Sequence, residues 1–397
     1  MTKKRRNLFC ARILCASILF SLAAPVSAEE TASAVSVEAP EYVLMEPETG
    51  TVILEKDKDV PRSPASVTKV MTLLLIFEEI EKGNLKLDDT VTTSAHAKSM
   101  GGSQVFLEEG ETQTVETMIK CIVIASGNDA SVAMAEHIAG SEPEFVNAMN
   151  KKAQALGMKN THFVDCCGLT DSDDHYTTAY DIALMSRELI RKYPEILNYS
   201  SVWMDTITHN TRQGSKEFGL SNTNRLIRTY EGCVGLKTGS TSKAKFCVSA
   251  VAKRKGITLI AVVMAAPDSR TRVKDASMLF DYGFAKCSLY TDENPGKLPD
   301  LKVIKGIKEK TTLTFGKTFR CLSTDGTTFD KIKKKLILPN EVKAPVKKGQ
   351  KAGELVYYQE NRELGRIPVI YAENVKKAGY LDPERISGCS VFFCKYF

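Results

Sequence analysis

The order of periodicities predicts an α/β domain, an antiparallel sheet with an inserted helical subdomain, followed by a separate all-β carboxy-terminal domain. Three observations predict it. A hairpin pattern stands near Tyr42, and strand periodicity returns near Gly235. Between them lies a mostly helical stretch, Val115 to about Tyr193. From about Tyr290, short alternating runs are separated by Gly and Pro turns, with no long helical pattern before Glu373. A chain of 397 residues is long enough for both domains.

Residues 1–28 read as an export signal. Lys3, Lys4, Arg5, Arg6 and Arg12 are followed or flanked by the apolar run Ile13–Ala24, and Val26-Ser27-Ala28 supplies small residues for cleavage. The run is short for a bilayer span; an uncleaved anchor is the alternative. Five of the six net positive charges lie in this segment, so the remainder is near +1 and carries no nucleic-acid footprint. Residues 29–41 are small, polar and acidic, a flexible leader.

The first domain is placed at 42–288. Val43, Met45, Thr51, Ile53 and Glu55 form a hairpin around Glu48-Thr49-Gly50. Pro64 opens a helix with Val67, Val70, Met71 and Leu74 on one face and Gly83 at its end. A polar segment, Asp171–His175, interrupts the helical block. Phe246–Ala252 and Ile257–Met264 are β-branched runs joined by Lys253-Arg254-Lys255-Gly256, a second hairpin. Asp275–Phe284 is helical, and Trp203 is expected in the core. The all-β domain is placed at 289–380. Residues 291–380 hold 19 Lys/Arg against 11 Asp/Glu, either a solvated strand face or an attraction to anionic lipid or wall polymer. In the tail, 381–397, Val391, Phe392, Phe393, Tyr396 and Phe397 are apolar enough for weak membrane contact, although Ser387 and Gly388 interrupt any helix.

Nine cysteines remain beyond the signal, an odd number for an exported chain. Most sit singly in apolar strands, where a free thiol serves as a small hydrophobe. The five His are scattered and no Gly-rich phosphate loop is present, so neither a metal site nor a cofactor is expected.

Three motifs carry chemistry together. Ser66-Val67-Thr68-Lys69 sits at the start of the Pro64 helix, Ser126-Gly127-Asn128 follows the apolar run Ile122–Ala125, and Lys237-Thr238-Gly239 precedes the second hairpin. A spacing of three on a helix puts Lys69 on the face of Ser66. A serine hydroxyl needs a base to become a nucleophile, and a lysine serves as one only with a lowered pKa. Lys237 supplies a second cation that lowers it. The helix amino terminus offers the Ser66 backbone N–H to an oxyanion. Ser126 and Asn128 read as a loop between helices, one to relay protons and the other to bind a peptide carbonyl. Lys237 and Thr238 on an edge strand can pair with an extended peptide and meet its carboxylate. Gly239 lets the substrate backbone come close, and Ser240 offers a second N–H to the oxyanion. Glu142-Pro143-Glu144 reads as a helix start.

This trio is associated with penicillin-binding proteins and class A β-lactamases. The chain resembles the D-alanyl-D-alanine carboxypeptidases of peptidase family S11 from about Tyr42 to Tyr380. The resemblance rests on Pro64–Thr72, Gly101-Gly102-Ser103-Gln104, Ser126–Ala130, His175–Asp181, Asn222-Thr223-Asn224, Gly235–Gly239 and, in the β-domain, Lys343–Gly349. It implies a transpeptidase-like (β-lactamase-like) fold and removal of the terminal D-alanine of the peptidoglycan stem pentapeptide. It also implies acylation by β-lactam antibiotics. By the same resemblance Ser66 is the nucleophile, Lys69 the base, and Ser126, Asn128, Lys237 and Thr238 complete the site. Arg272 resembles a basic residue that helps hold the substrate carboxylate, the alternative being a surface Arg at a helix start. The chain departs from the family pattern after Gly239. Ser240 stands where an aromatic or His is common, and Ala244-Lys245 replaces Ala-Gly.

Two rival functions differ in observable ways. A β-lactamase or esterase on this scaffold would turn penicillin over quickly, which the missing deacylating carboxylate argues against. A wall-binding protein with a decayed site would not be labelled by penicillin at all.

Overall fold

The computed structural model describes residues 35–211 and 214–379. The signal 1–28, the leader up to residue 34 and the tail 381–397 lie outside the described residues.

The strands used below are β1 (Glu41–Glu46), β2 (Thr51–Lys56), β3 (Met204–Thr211), β4 (Gly214–Ser221), β5 (Cys233–Thr241), β6 (Lys245–Arg254) and β7 (Ile257–Ala266). A five-stranded antiparallel sheet runs in the order β2-β1-β7-β6-β5. β7 is central and buried along almost its whole length, so it reads as a continuous apolar run rather than an alternating one. The turn between β6 and β7 places Lys255 and Gly256 at φ +49° and +78°, a pair of left-handed residues suited to a tight hairpin.

The longer helices that cover the sheet and fill the inserted block are α1 (Lys69–Glu81), α2 (Val115–Val123), α3 (Asn128–Ala139), α4 (Glu142–Ala155), α5 (Ala179–Lys192) and α6 (Ser269–Lys286). Alternation along the strands feeds two cores. Val43, Met45, Ile260 and Val262 join α1 and α5 on one face. Tyr42, Leu44, Leu259 and Val263 meet Leu279 and Phe280 of α6 on the other. Each fully buried side chain of this size contributes roughly 1.5–3 kcal/mol.

Several local expectations need correction. The Pro64 helix begins with a 3-10 turn, Ala65–Thr68, and α1 proper starts at Lys69. It is buried all round from Lys69 to Phe77 rather than along one stripe, because it threads the middle of the helical block. The break in that block is much longer than Asp171–His175: residues 156–178 contain no helix. α6 starts at Ser269, ahead of Asp275, because the Asp268 carboxylate caps the Arg270 and Thr271 N–H groups. Leader residues Glu38 and Ala39 donate backbone N–H bonds to Asp275, so this part of the leader is pinned. Trp203 is only half-buried, with the Arg228 guanidinium 5.3 Å from its ring centre. As expected, Glu142-Pro143-Glu144 opens α4, capped by Ser141.

From Ser288 onward the described residues form only strands and turns. A four-stranded sheet contains Lys351–Gln359 and Arg362–Tyr371 at its centre, beside a three-stranded sheet and a two-stranded one. Phe319 stacks on Tyr357 with ring centres 3.7 Å apart, and the Tyr357 hydroxyl donates to Asp292 at 2.8 Å. Among the described residues no helix is long and apolar enough to cross a membrane.

Lys245 adopts φ +54° at the start of β6. A left-handed conformation costs a side-chain-bearing residue about 1–2 kcal/mol, which glycine avoids. Lys245→Gly is therefore expected to stabilise the protein by about 1 kcal/mol in urea denaturation.

Candidate active site

The turn that carries Ser66 is built under strain. Ala65 has φ +48° and Ser126 has φ +62°, both in the left-handed region that disfavours L-residues. The Ser66 hydroxyl sits on this turn, partly exposed to solvent, while Ala65, Val67, Thr68 and Lys69 around it are buried.

One helical turn later the Lys69 Nζ donates to Ser66 Oγ at 3.2 Å, to Asn128 Oδ1 at 2.6 Å and to the Cys167 carbonyl at 2.8 Å. Three donors meet three acceptors, so the buried amine is fully satisfied. Burial pushes its pKa down from the usual 10.5, against the pull of Cys167, Cys166, Asp165 and Asp129.

Asn128 is the first residue of α3 rather than part of a loop, whereas Ser126 lies on the connection before it, also buried. The Asn128 amide donates to the Gly101 carbonyl at 2.7 Å and its backbone N–H to the Ser103 carbonyl at 2.8 Å. The next residue, Asp129, accepts backbone N–H bonds from Val105 and Leu107. Together they clamp the 101–107 loop against the site.

The second wall is β5, an edge strand. Lys237 is buried, and its Nζ donates to the Thr238 carbonyl at 2.9 Å. Burial holds this amine well below its usual range, with the Lys69 and Arg272 cations adding to the effect. The Thr238 hydroxyl donates to Thr223 Oγ1 at 2.7 Å. A Cβ on Gly239 would lie 2.7–2.9 Å from the Pro64 carbonyl and the Ser66 and Val67 nitrogens. The strand therefore touches the nucleophile turn itself, a tighter reason for glycine than substrate approach. Ser240 is exposed beyond it.

Arg272 is buried, not a surface residue. Its Nη1 donates to the Gly239 and Cys247 carbonyls at 3.3 and 3.2 Å. Burial pushes its pKa down to about 10, while its Nε has no hydrogen-bond partner among the described residues. It ties β5 to β6 through these two carbonyls. Lys69, Lys237 and Arg272 thus concentrate buried positive charge beside Ser66.

Sequence reading missed a second set of supports. The His175 Nδ1 accepts the Val164 N–H at 3.1 Å, which leaves the proton on Nε2. That Nε2 meets Thr68 Oγ1 at 2.8 Å, and the Thr68 hydroxyl donates to the Ala65 carbonyl at 2.8 Å. A Cβ on Gly168 would strike that same carbonyl at 1.9 Å. Asn222 donates to the Ser200 and Val202 carbonyls and Asn224 to the Gly235 carbonyl, holding Thr223 beside Thr238. The available signal was hydroxyls in an apolar helix. Thr68 and Thr72 stand in a fully buried run, and buried polar groups require partners.

No group of three or more His, Cys, Asp or Glu able to hold a metal ion occurs among the described residues. The seven described cysteines are all free.

A family model described as D-alanyl-D-alanine carboxypeptidase matches residues 28–268. The chain belongs to the D-alanyl-D-alanine carboxypeptidase family. A second family model, penicillin-binding protein 5 C-terminal domain, matches residues 292–377 of the carboxypeptidase. The chain is 44% identical to D-alanyl-D-alanine carboxypeptidase DacF of Bacillus subtilis over 345 residues, 87% of each chain. It is 32% identical to DacC of Escherichia coli over 362 residues, covering 89% of this chain and 88% of the relative. Penicillin-binding protein 5 from Haemophilus influenzae is a structural neighbour with TM-score 0.65 and 29% identity, over 86% of this chain and 98% of that one. The transpeptidase-like fold and the serine-hydrolase chemistry expected from the motifs are those of this family.

Because Gly239 packs on the nucleophile turn, Gly239→Ala should displace Ser66. The expected result is a loss of penicillin acylation of about 10²-fold or more, read by stopped-time labelling, in a protein whose circular dichroism is unchanged.

Proposed function

We propose that this carboxypeptidase cleaves the terminal D-alanine from the peptidoglycan stem pentapeptide through an acyl-enzyme on Ser66. The observation that carries the reading is the three-way bond of the buried Lys69 amine to Ser66, Asn128 and the Cys167 carbonyl.

The substrate's terminal carboxylate enters beside Lys237 and Thr238. An anion there raises the pKa of Lys237 and restores its charge, so the proton deficit of the two buried amines falls on Lys69. Neutral Lys69 takes the Ser66 proton as Oγ attacks the carbonyl between the two D-alanines. The Ser66 and Ser240 backbone N–H groups receive the oxyanion. The proton passes to the departing amine, with the Ser126 hydroxyl as the proposed relay, and water then releases the shortened peptide. Asn128 binds the substrate's upstream amide. Arg272 ties β5 to β6 and, as the resemblance implies, helps hold the substrate carboxylate with its charge.

β-Lactams enter the same reaction and stop at the acyl-enzyme. A slow release is supported by the place of Glu142-Pro143-Glu144, the acidic motif most similar to the deacylating loop of class A β-lactamases: it opens α4, with the Glu142 carboxylate bonded to the Cys166 N–H and to His96. We also propose export by residues 1–28, a catalytic domain spanning 42–288 and a β-domain spanning 289–380. Weak contact of the tail 381–397 with a membrane surface would be aided by exposed Lys331, Lys333, Lys334 and Lys335.

The pH dependence follows from the depressed amines. Neutral Lys69 becomes populated as pH rises through its lowered pKa, so kcat/KM for D-alanine release should rise along a limb centred below 10.5. In Lys69→Met the rising limb should vanish, with activity reduced by about 10³-fold or more. A variant retaining both the limb and the rate would reassign the base.

A further inference from the structure

His175 is 1% exposed and takes no part in the proposed acyl transfer, yet its ring stands between the two members of the catalytic pair. On one side its Nδ1 accepts the Val164 N–H at 3.1 Å. Val164 leads into the stretch whose Cys166 and Cys167 carbonyls accept from Thr72 and from the Lys69 amine. On the other side Nε2–H donates to Thr68 Oγ1 at 2.8 Å, and the Thr68 hydroxyl carries the chain on to the Ala65 carbonyl. That carbonyl belongs to the residue before Ser66, the one held at φ +48°. A single imidazole thus couples the segment that holds the base to the turn that holds the nucleophile.

The ring has little freedom to compensate if one of these bonds fails. Just after it, Tyr176 exchanges both backbone bonds with His162, and Thr177 does the same with Arg62, two residues ahead of Pro64. Phe163 packs edge-on against the imidazole with ring centres 5.8 Å apart. The chain also depends on a proton count. Each link needs one donor and one acceptor, and only the neutral ring with its proton on Nε2 supplies both. The imidazolium carries a donor on each nitrogen, so its Nδ1–H would face the Val164 N–H with no acceptor between them.

Burial favours the neutral ring and holds its pKa below the usual 6.5. Of the charged groups around it, Asp165 pulls the other way, while His162 and Lys243 add to the effect of burial. The Asp165 carboxylate is occupied by the Cys167, Gly168 and Thr170 N–H groups, and the Lys243 amine by the Asp171 carbonyl and the Asp173 carboxylate. The His162 Nδ1 meets the Asp174 carbonyl. Above the lowered pKa the ring is neutral and the chain is closed. As pH falls through it, the ring gains its second proton and the link to Val164 opens.

We propose that His175 is a positioning residue for the acylation of Ser66: its neutral ring holds the nucleophile turn in place, and protonation of the ring releases it. The inference rests on Ser66 as the nucleophile and adds a second proton to the acid side of its reaction. The test is the pH profile of the acylation rate constant, measured with a fluorescent penicillin on the full chain, with circular dichroism recorded at each pH. In the wild type the rate should fall with a slope of one while only Lys69 gains a proton, and steepen toward two below 6.5. His175→Leu should slow acylation about 10²-fold at about pH 8 and show no lower break. The amide oxygen of His175→Gln can accept from Val164 and its NH₂ can donate to Thr68, so this variant should recover most of that rate. It should still lack the lower break, because an amide does not titrate. Thr68→Val keeps the ring and removes its link to Ala65; it should slow acylation about tenfold or more, which decides the matter where a His175 variant does not fold. A wild-type limb that keeps a slope of one, a lower break that persists in His175→Gln, or undiminished acylation in Thr68→Val would overturn the positioning role alone. The absence of a Ser66 adduct at every pH would overturn the serine reading and the positioning role with it.

Discussion

A lysine amine taken out of water and given three acceptors is the constraint around which the catalytic domain is arranged. An ammonium in an apolar interior is costly, and its pKa falls until losing the proton becomes accessible. Lys69 meets this condition because α1 is buried on all sides, which in turn requires helices in the inserted block and a sheet behind them. The acceptors come from three separated segments: the nucleophile turn, the start of α3 and the long irregular stretch before α5. Few small domains can bring three such segments to one atom. The helical insertion between β2 and β5 is what allows it.

The opposite wall answers a different demand. β5 must stay at the sheet edge to receive an extended peptide, yet it must not move relative to Ser66. Gly239 gives contact with the nucleophile turn, Arg272 ties the strand to β6, and Thr223 and Asn224 bond to it. Charging both Lys69 and Lys237 beside Arg272 is unfavourable, so the empty site is short of protons. An incoming carboxylate favours the charged form of Lys237, which couples substrate binding to the protonation state of the base.

Much of this was legible in the sequence, because spacing along a helix and order along the chain are properties of sequence. Ser66 and Lys69 meet because they are three residues apart, and the two hairpins were readable from their turns. The misreadings share one physical origin. Boundaries set by capping, such as Asp268 at the start of α6, depend on a single hydrogen bond that periodicity does not register. The all-round burial of α1 depends on what surrounds it, and so was read as a stripe. The roles of His175, Thr68 and Gly168 arise from long-range contact with the Ala65 carbonyl, and no local pattern encodes them. Burial of Arg272, which bonds to the Gly239 and Cys247 carbonyls rather than standing on the surface, is likewise invisible to local pattern.

The central claim is that one activated hydroxyl, on a turn shared with a deprotonated amine, takes the acyl group. Intact-protein mass spectrometry after brief exposure to benzylpenicillin, followed by peptide mapping, tests it most directly. The account predicts a single penicilloyl adduct on the peptide containing Ser66, persisting for many minutes. An adduct on another residue, or none under conditions where the folded protein releases D-alanine, would contradict it.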